Sequence, residues 1–158
     1  FINDSKATNS QAAAKALTSY ENIFWIVGGQ FKEKSVDVLV GALSTVRHAY
    51  LIGEAQDQLA NGLNGKVPLT RSGELEIAVH QAFQAAHAYG APADVLLSPA
   101  CASFDQFANF EARGAAFRDL AVEFGRAVFG DPVDEIAQHI GKIGIDGGLE
   151  AFPCECRV

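Results

Sequence analysis

The chain has 158 residues, of which 49% are hydrophobic and 20% are charged, so it is long enough for one domain with a substantial core. Its formal net charge of −7 disfavours a nucleic-acid partner, which would require a basic surface. The sequence has no apolar run near the roughly 18 residues that span a bilayer, and no signal peptide opens it, so we expect no membrane partner.

Apolar runs alternate with helical patterns along residues 1–129. Strands are predicted at residues 1–4, 23–27, 48–52, 67–70 and 95–97. Helices are predicted at residues 10–19, 35–43, 54–61, 72–89 and about 105–128. This order predicts an α/β fold, a Rossmann-like three-layer domain with a mostly parallel sheet of five to six strands and helices on both faces.

The remainder of the chain differs in character. Residues 130–158 are rich in glycine and have no clear periodicity, which predicts a C-terminal appendage that is partly disordered. The three cysteines lack the spacing of zinc ligands and suit a reducing cytoplasm. Because the sequence contains no methionine, we expect it to be a fragment of a longer protein.

Polar turns follow three of the predicted strands, at residues 4–9, 28–34 and 98–105. The carboxyl ends of parallel strands share one edge of a sheet, and ligands bind there in α/β folds, so we expect these turns to meet. The third turn consists of small residues before a helix predicted to begin near Asp105, which would leave backbone N–H groups for an anion. Ser103 adds a hydroxyl there, although a plain N-cap role for Ser103 or Asp105 is the simpler interpretation of either residue alone.

Four side chains on these turns suit the oxygens of a carboxylate or a phosphate: Lys6, Thr8, Lys32 and Ser103. Asp4 could accept hydrogen bonds from a ribose or an amine. Taken singly, each lysine is more simply a solvated surface residue, and Phe110 lies on the apolar stripe of its helix, where a core role is the default.

Several motifs of known chemistry are missing. The sequence contains neither a phosphate loop nor a G-x-G-x-x-G fingerprint, which disfavours an oxidoreductase cofactor domain. It also lacks a nucleophile elbow. The residues alone therefore predict an α/β domain with an anion-binding edge and leave its chemistry open, including a non-catalytic nucleotide- or anion-binding module.

Three segments together resemble a known family: NDSKATN at residues 3–9, GG at residues 28–29 with Lys32, and LSPACASFDQFANFEARG at residues 97–114. In order and spacing, residues 1–125 are similar to the C-terminal domain of the Mur ligases, in particular those that add D-glutamate. The resemblance implies a cytoplasmic, three-domain enzyme of peptidoglycan precursor synthesis that acts as a monomer. The other domains would hold the UDP-sugar, the ATP phosphate loop and Mg²⁺, so the chain alone would be inactive.

The resemblance also implies a reaction and its substrates. The alanyl carboxylate of UDP-N-acetylmuramoyl-L-alanine would take the γ-phosphate of ATP, giving an acyl phosphate. The amine of D-glutamate would then attack, and a tetrahedral intermediate would expel phosphate. The C-terminal domain would bring the bound amine to an acyl phosphate that forms on another domain, which requires the domains to close.

Site residues follow from the matching motifs. The resemblance implies a D-glutamate pocket formed by Thr8, Lys32, Ser103 and Phe110, with the backbone of Phe104. It implies that Asp4 and Lys6 face the nucleotide, Asp4 on the ribose, and it assigns no catalytic residue and no metal ligand within the domain. One departure lies beside the pocket, where Ala108 stands in place of the usual lysine.

Overall fold

The computed structural model describes residues 1–129, so the predicted appendage at residues 130–158 lies outside the described residues. The strands are β1 (Ile2–Asn3), β2 (Ile23–Gly28), β3 (Val46–Ile52), β4 (Leu69–Gly73) and β5 (Asp94–Leu97). The helices are α1 (Ser10–Leu17), α2 (Asp37–Val40), α3 (Gln56–Leu63), α4 (Leu75–Ala88) and α5 (Phe110–Phe129), with a 3-10 turn at Leu43–Thr45. All pairs of neighbouring strands are parallel, in the order β1-β5-β2-β3-β4. The predicted α/β, Rossmann-like fold is confirmed.

Helices cover both faces of the sheet because the central strands are apolar on both sides. Trp25 and Val27 of β2 belong to the core cluster that contains the buried residues of α1, α2 and α3. Phe24 and Ile26, which alternate with them, belong to the cluster that contains the buried residues of α4 and Phe117 of α5. Successive side chains of a strand point to opposite faces, so β2 supplies both cores of a three-layer domain.

Two predicted helices differ from those in the structure. The helix predicted at residues 35–43 is reduced to α2, which stops at Gly41, a residue with low helix propensity. Ser72, predicted to cap α4, lies in β4, and its hydroxyl donates to Gln81 Oε1 at 2.7 Å. The N-cap residue of α4 is instead Glu74.

The start of α5 is also corrected. The helix was predicted to begin near Asp105, but it begins at Phe110. Asn109 precedes it, and its side-chain Oδ1 accepts a hydrogen bond from Ala112 N at 2.7 Å, as an N-cap residue does. The chain from Ser103 to Asn109 therefore forms turns between β5 and α5.

Candidate functional site

Three loops leave the sheet at the carboxyl ends of neighbouring strands. The first loop (residues 4–9) follows β1, the second loop (residues 28–34) spans the end of β2 and the chain after it, and the third loop (residues 98–105) follows β5. Because β5 lies between β1 and β2, the third loop lies between the other two. The edge where they meet is the place at which α/β sheets bind ligands.

Backbone hydrogen bonds join the three loops. Asp4 N donates to Leu97 O at 2.8 Å, which ties the first loop to the end of β5. Gln30 N donates to Ala102 O at 2.8 Å, and Ala102 N donates back to Gln30 O at 3.1 Å. This antiparallel bridge fixes the second loop against the third, so the predicted convergence of the loops is confirmed.

Asp4 is held by a chain of hydrogen bonds from the core. The indole Nε1 of Trp25 donates to Ser98 O at 2.8 Å, and Ser98 Oγ donates to Asp4 Oδ2 at 2.8 Å. Burial raises the pKa of the Asp4 carboxyl, and the hydrogen bond from Ser98 partly offsets this rise. The carboxylate is thus aimed by its neighbours rather than left mobile on the surface.

Lys32 and Phe104 come together on the exposed side of the site. Lys32 Nζ lies 5.8 Å from the centroid of the Phe104 ring, within the range of a cation–π contact. Phe104 is 64% exposed, an unusual position for a large apolar side chain. The neighbouring Glu33 accepts a hydrogen bond from Ser10 N at 2.7 Å, which anchors the second loop to the start of α1.

Ser103 is buried beside Phe104, with only 2% of its surface exposed. Its carbonyl accepts the N–H groups of Gln106 at 3.1 Å and Phe107 at 2.8 Å, so Ser103 opens a turn. The helix N-terminus expected at this point is therefore wrong, and so is the predicted anion site on its N–H groups. Asp105 is not an N-cap residue either, because its Oδ2 accepts a hydrogen bond from Glu54 N at 3.0 Å, across the sheet edge.

The remaining predicted site residues surround this edge. Phe110 is half-buried, and its carbonyl accepts a hydrogen bond from Ser5 Oγ at 2.8 Å, which brings the start of α5 to the first loop. Lys6 and Thr8 are exposed on that loop, where Thr8 N donates to Lys6 O at 2.8 Å. Within residues 1–129, the structure shows no hydrogen bond from the Lys6 ammonium or the Thr8 hydroxyl.

Arg113 is a residue of this site to which sequence reasoning gave no role. Its side chain is 1% exposed, and it donates from Nε to Ser5 Oγ at 3.0 Å and from Nη2 to Ser5 O at 2.9 Å and Cys101 O at 3.1 Å. Desolvation lowers the pKa of Arg113 to about 10. The sequence did contain a signal for a buried Arg113, because position 113 lies four residues before Phe117, on the buried face of α5.

The arrangement suits a small ligand with both an anionic and a polar end. An ammonium group and hydroxyls can bind carboxylate oxygens, and the Asp4 carboxylate can accept hydrogen bonds. In the part of the chain that the structure describes, histidine, cysteine and acidic side chains form no group of three that could hold a metal ion. None of the helices in residues 1–129 is long and apolar enough to cross a membrane.

Three curated relatives of the chain have the same name, UDP-N-acetylmuramoylalanine–D-glutamate ligase. The protein from Phenylobacterium zucineum is 53% identical over 118 residues, which are 75% of this chain and 25% of the relative. The relative from Caulobacter sp. is 52% identical over 126 residues, which are 80% of this chain and 27% of the relative. The relative from Rhodopseudomonas palustris is 54% identical over 121 residues, which are 76% of this chain and 26% of the relative.

The chain spans about a quarter of the length of the curated relatives that it matches. No protein-family model matches it. Identity above 50% over three quarters of the chain nevertheless confirms the resemblance found in the motifs, and the match is consistent with a C-terminal fragment of such an enzyme. The chain therefore belongs to the Mur ligase family.

Proposed function

We propose that this chain is the amino-acid-binding domain of an ATP-dependent ligase that joins D-glutamate to UDP-N-acetylmuramoyl-L-alanine during peptidoglycan precursor synthesis. The proposal depends on one observation above all, the meeting of the second and third loops through the Gln30–Ala102 bridge. That bridge brings the loop of Lys32 beside the loop of Ser103, in a chain about 53% identical to enzymes whose name includes both joined substrates.

The proposed reaction has two steps. An oxygen of the alanyl carboxylate attacks the γ-phosphorus of ATP, so that an acyl phosphate forms and ADP leaves. The amine of D-glutamate, having lost a proton, then attacks the acyl carbon to give a tetrahedral intermediate. Its C–O bond to phosphate breaks, and the amide and inorganic phosphate are released. The described domain contributes by holding the amine in place for this attack, which removes much of the entropic cost of a bimolecular step.

In the proposed pocket, the Lys32 ammonium pairs with one carboxylate of D-glutamate. Ser103 donates its hydroxyl to the other end of the amino acid, with the backbone of Phe104 beside it, and Thr8 adds a second hydroxyl. Phe110 closes the pocket from the start of α5. A dicarboxylic amino acid needs cationic and polar donors at both ends, and these residue types supply them.

The nucleotide is proposed to contact the first loop. Asp4 Oδ2 already accepts a hydrogen bond from Ser98, so Oδ1 is the oxygen assigned to a ribose hydroxyl, and Lys6 faces the phosphates. For Mg²⁺, which the family implies, the described residues contain no group of three acidic, histidine or cysteine side chains. We assign Mg²⁺ and the phosphate loop to another domain and derive no step through the metal here.

The proposal extends to the whole enzyme. We propose a cytoplasmic monomer in which this domain closes over an ATP-binding domain, because the two substrates of the second step are held by different parts of the protein. The chain alone is then expected to release no phosphate from ATP, since it carries neither the phosphate loop nor the acceptor site.

Phosphate release by the full-length protein tests the proposal. ATP and UDP-N-acetylmuramoyl-L-alanine are held constant while D-glutamate, L-glutamate or L-lysine is added. Release that depends on D-glutamate alone is expected. Release with another amino acid would move the chain to a different ligase of the family. No release with any of them, together with nucleotide or anion binding by the chain alone, would instead support the non-catalytic binding module.

A further inference from the structure

Among the residues whose burial the structure describes, Arg113 is the only charged residue in the buried class. Its guanidinium lies between the first loop, where it bonds to Ser5, and the third loop, where it bonds to the carbonyl of Cys101. A guanidinium can make these bonds together because its donors form a rigid planar fork. The two loops are thereby held at a fixed separation by one side chain.

The second loop lies next to the same group. A Cβ atom built on Gly29 would lie 3.2 Å from Arg113 Nη1 and 3.1 Å from Cys101 Cβ. A side chain at position 29 would therefore press against the guanidinium. Arg113 thus hydrogen-bonds to the first and third loops and lies beside the second.

The burial of the Arg113 guanidinium has a cost in free energy. Among residues 1–129, no carboxylate forms an ion pair with Arg113, and its buried Nη1 has no hydrogen-bond acceptor. Burying a charge without an ion pair is costly, and apolar residues of similar volume often replace buried charged groups without loss of stability. An arginine that costs stability here is expected to serve a function.

The proposed site residues lie close along the chain to the groups that Arg113 contacts. Cys101 is two residues before Ser103, and Ser5 lies between Asp4 and Lys6. We propose that Arg113 is a positioning residue, an inference that rests on the proposed function. Its planar guanidinium holds the first and third loops in the geometry that D-glutamate requires. Its Nε and Nη2 donors bond to Ser5 and Cys101 and its Nη1 is buried, so Arg113 acts on the substrate through the loops.

Three variants of the full-length protein test the inference. Arg113→Met removes both the charge and the fork, whereas Arg113→Lys keeps the charge and replaces the fork with a single flexible ammonium group. Arg118→Met is the matched control, since Arg118 lies on the same helix and pairs with Asp119 on the surface at 3.4 Å. KM for D-glutamate, ATP and UDP-N-acetylmuramoyl-L-alanine and kcat are measured for each, with the other substrates saturating.

We expect Arg113→Met and Arg113→Lys to raise KM for D-glutamate about tenfold or more, with KM for UDP-N-acetylmuramoyl-L-alanine unchanged and Arg118→Met like the parent. A merely structural role would reduce the fraction of folded enzyme, and so lower kcat without changing any KM. Recovery of the parent KM in Arg113→Lys would overturn the inference, because charge alone would then suffice. If Arg113→Met fails to fold, the Lys variant decides.

Hydrogen exchange on the same proteins, without substrates, separates this inference from the proposed function. Faster exchange is expected in both Arg113 variants at the amide of Asp4, which ties the first loop to the end of β5, and at the amide of Ala102, which follows Cys101 in the third loop. Exchange in Arg118→Met should be unchanged. Unchanged exchange in the Arg113 variants would show that Arg113 does not hold the loops. If the parent enzyme showed no D-glutamate dependence, the proposed function would fail, whereas the exchange result would still decide whether Arg113 positions the loops.

Discussion

Single residues determine how closely the three loops approach one another, and Gly29 shows this most directly. Its φ is +127°, in a region that L side chains rarely adopt, and a Cβ built there would collide with the carbonyl oxygen of Ala102. That carbonyl belongs to the bridge between the second and third loops, so it cannot move aside without breaking the bridge. The close contact of the two loops therefore depends on a glycine at position 29.

We predict that Gly29→Ala lowers the free energy of unfolding by about 3 kcal/mol, because backbone strain adds to the collision. The control is Gly65→Ala, where φ is +71° but no atom lies within 4 Å of the built Cβ, so only the conformational cost of about 1 kcal/mol applies. Equilibrium unfolding in urea measures both. Equal losses in the two variants would show that the loops do not approach as described.

Asp4 is assigned to the nucleotide, but burial of its carboxylate lowers the stability of the folded protein at neutral pH. Burial raises the pKa of its carboxyl in the folded state above the unfolded value of 3.8. The folded state then binds the proton more tightly, so the contribution of Asp4 to stability is present below the unfolded pKa and is lost as the pH rises through the folded pKa. At neutral pH the ionised carboxylate opposes folding.

We therefore predict that Asp4→Asn raises the urea midpoint at pH 7, because the amide oxygen can still accept the hydrogen bond from Ser98 without carrying a charge. The gain should shrink as the pH falls towards the folded pKa of Asp4. Asp119→Asn, at an exposed carboxylate with 73% of its side chain accessible, serves as the control and should show little change. A lower midpoint for Asp4→Asn at pH 7 would contradict the assigned sign.

The sequence predicted some candidate site residues more readily than others. Lys32 and Ser103 were predicted because polar residues at strand ends are conspicuous, and Ser103 also lies in a long motif. Arg113 was quoted within a motif but given no role, since its hydrogen bonds reach residues 108 positions away in the sequence, at Ser5. The periodicity of a helix shows only that a charged residue lies on its buried face. The hydrogen-bond partner of that residue is determined by the tertiary structure.

At the scale of elements, the start of α5 decides what surrounds Ser103. Tertiary hydrogen bonds occupy the preceding turns: Asp105 accepts from Glu54 N, and Gln106 Nε2 donates to Gly73 O at 2.9 Å. These groups tie the turns to the chain around the ends of β3 and β4, so the backbone does not continue as a helix there. The first residue of α5 is consequently set by the cap at Asn109.

We predict that Asn109→Ala lowers the free energy of unfolding by about 1 kcal/mol, since it removes the acceptor for Ala112 N. Asn61→Ala is the control, because Asn61 is an exposed asparagine inside α3 and alanine is the better helix former. Urea unfolding of both variants provides the comparison. An unchanged stability in Asn109→Ala would mean that α5 begins elsewhere.

The strands were predicted better than the helix ends, for a physical reason. A strand buried on both faces must be apolar at every position, as β2 is, so its run is visible without knowledge of its neighbours. The start of α4 depends on contacts that no local pattern contains, such as the bond of Ser72 to Gln81. Likewise, the hydroxyl of Ser35 accepts a hydrogen bond from Asp37 N at 3.1 Å, but the helix that follows is α2 alone, which is shorter than the predicted helix at residues 35–43.

At the scale of the whole molecule, the sheet order explains why distant segments form one site. Because β5 lies between β1 and β2, the first, third and second loops lie in that order along one edge. This edge is the surface that would close over an ATP-binding domain in the proposed enzyme. The proposed function therefore requires that the loops at this edge bind D-glutamate.

KM for D-glutamate, taken from phosphate release by the full-length protein, tests that claim most directly. Lys32→Ala and Ser103→Ala should each raise this KM about tenfold or more, because each loses a hydrogen bond to a charged group. The control, Lys34→Ala, removes an exposed lysine two positions from Lys32 and should leave KM unchanged. If Lys32→Ala and Ser103→Ala fold normally and keep the parent KM, D-glutamate binds elsewhere and the pocket assignment is wrong.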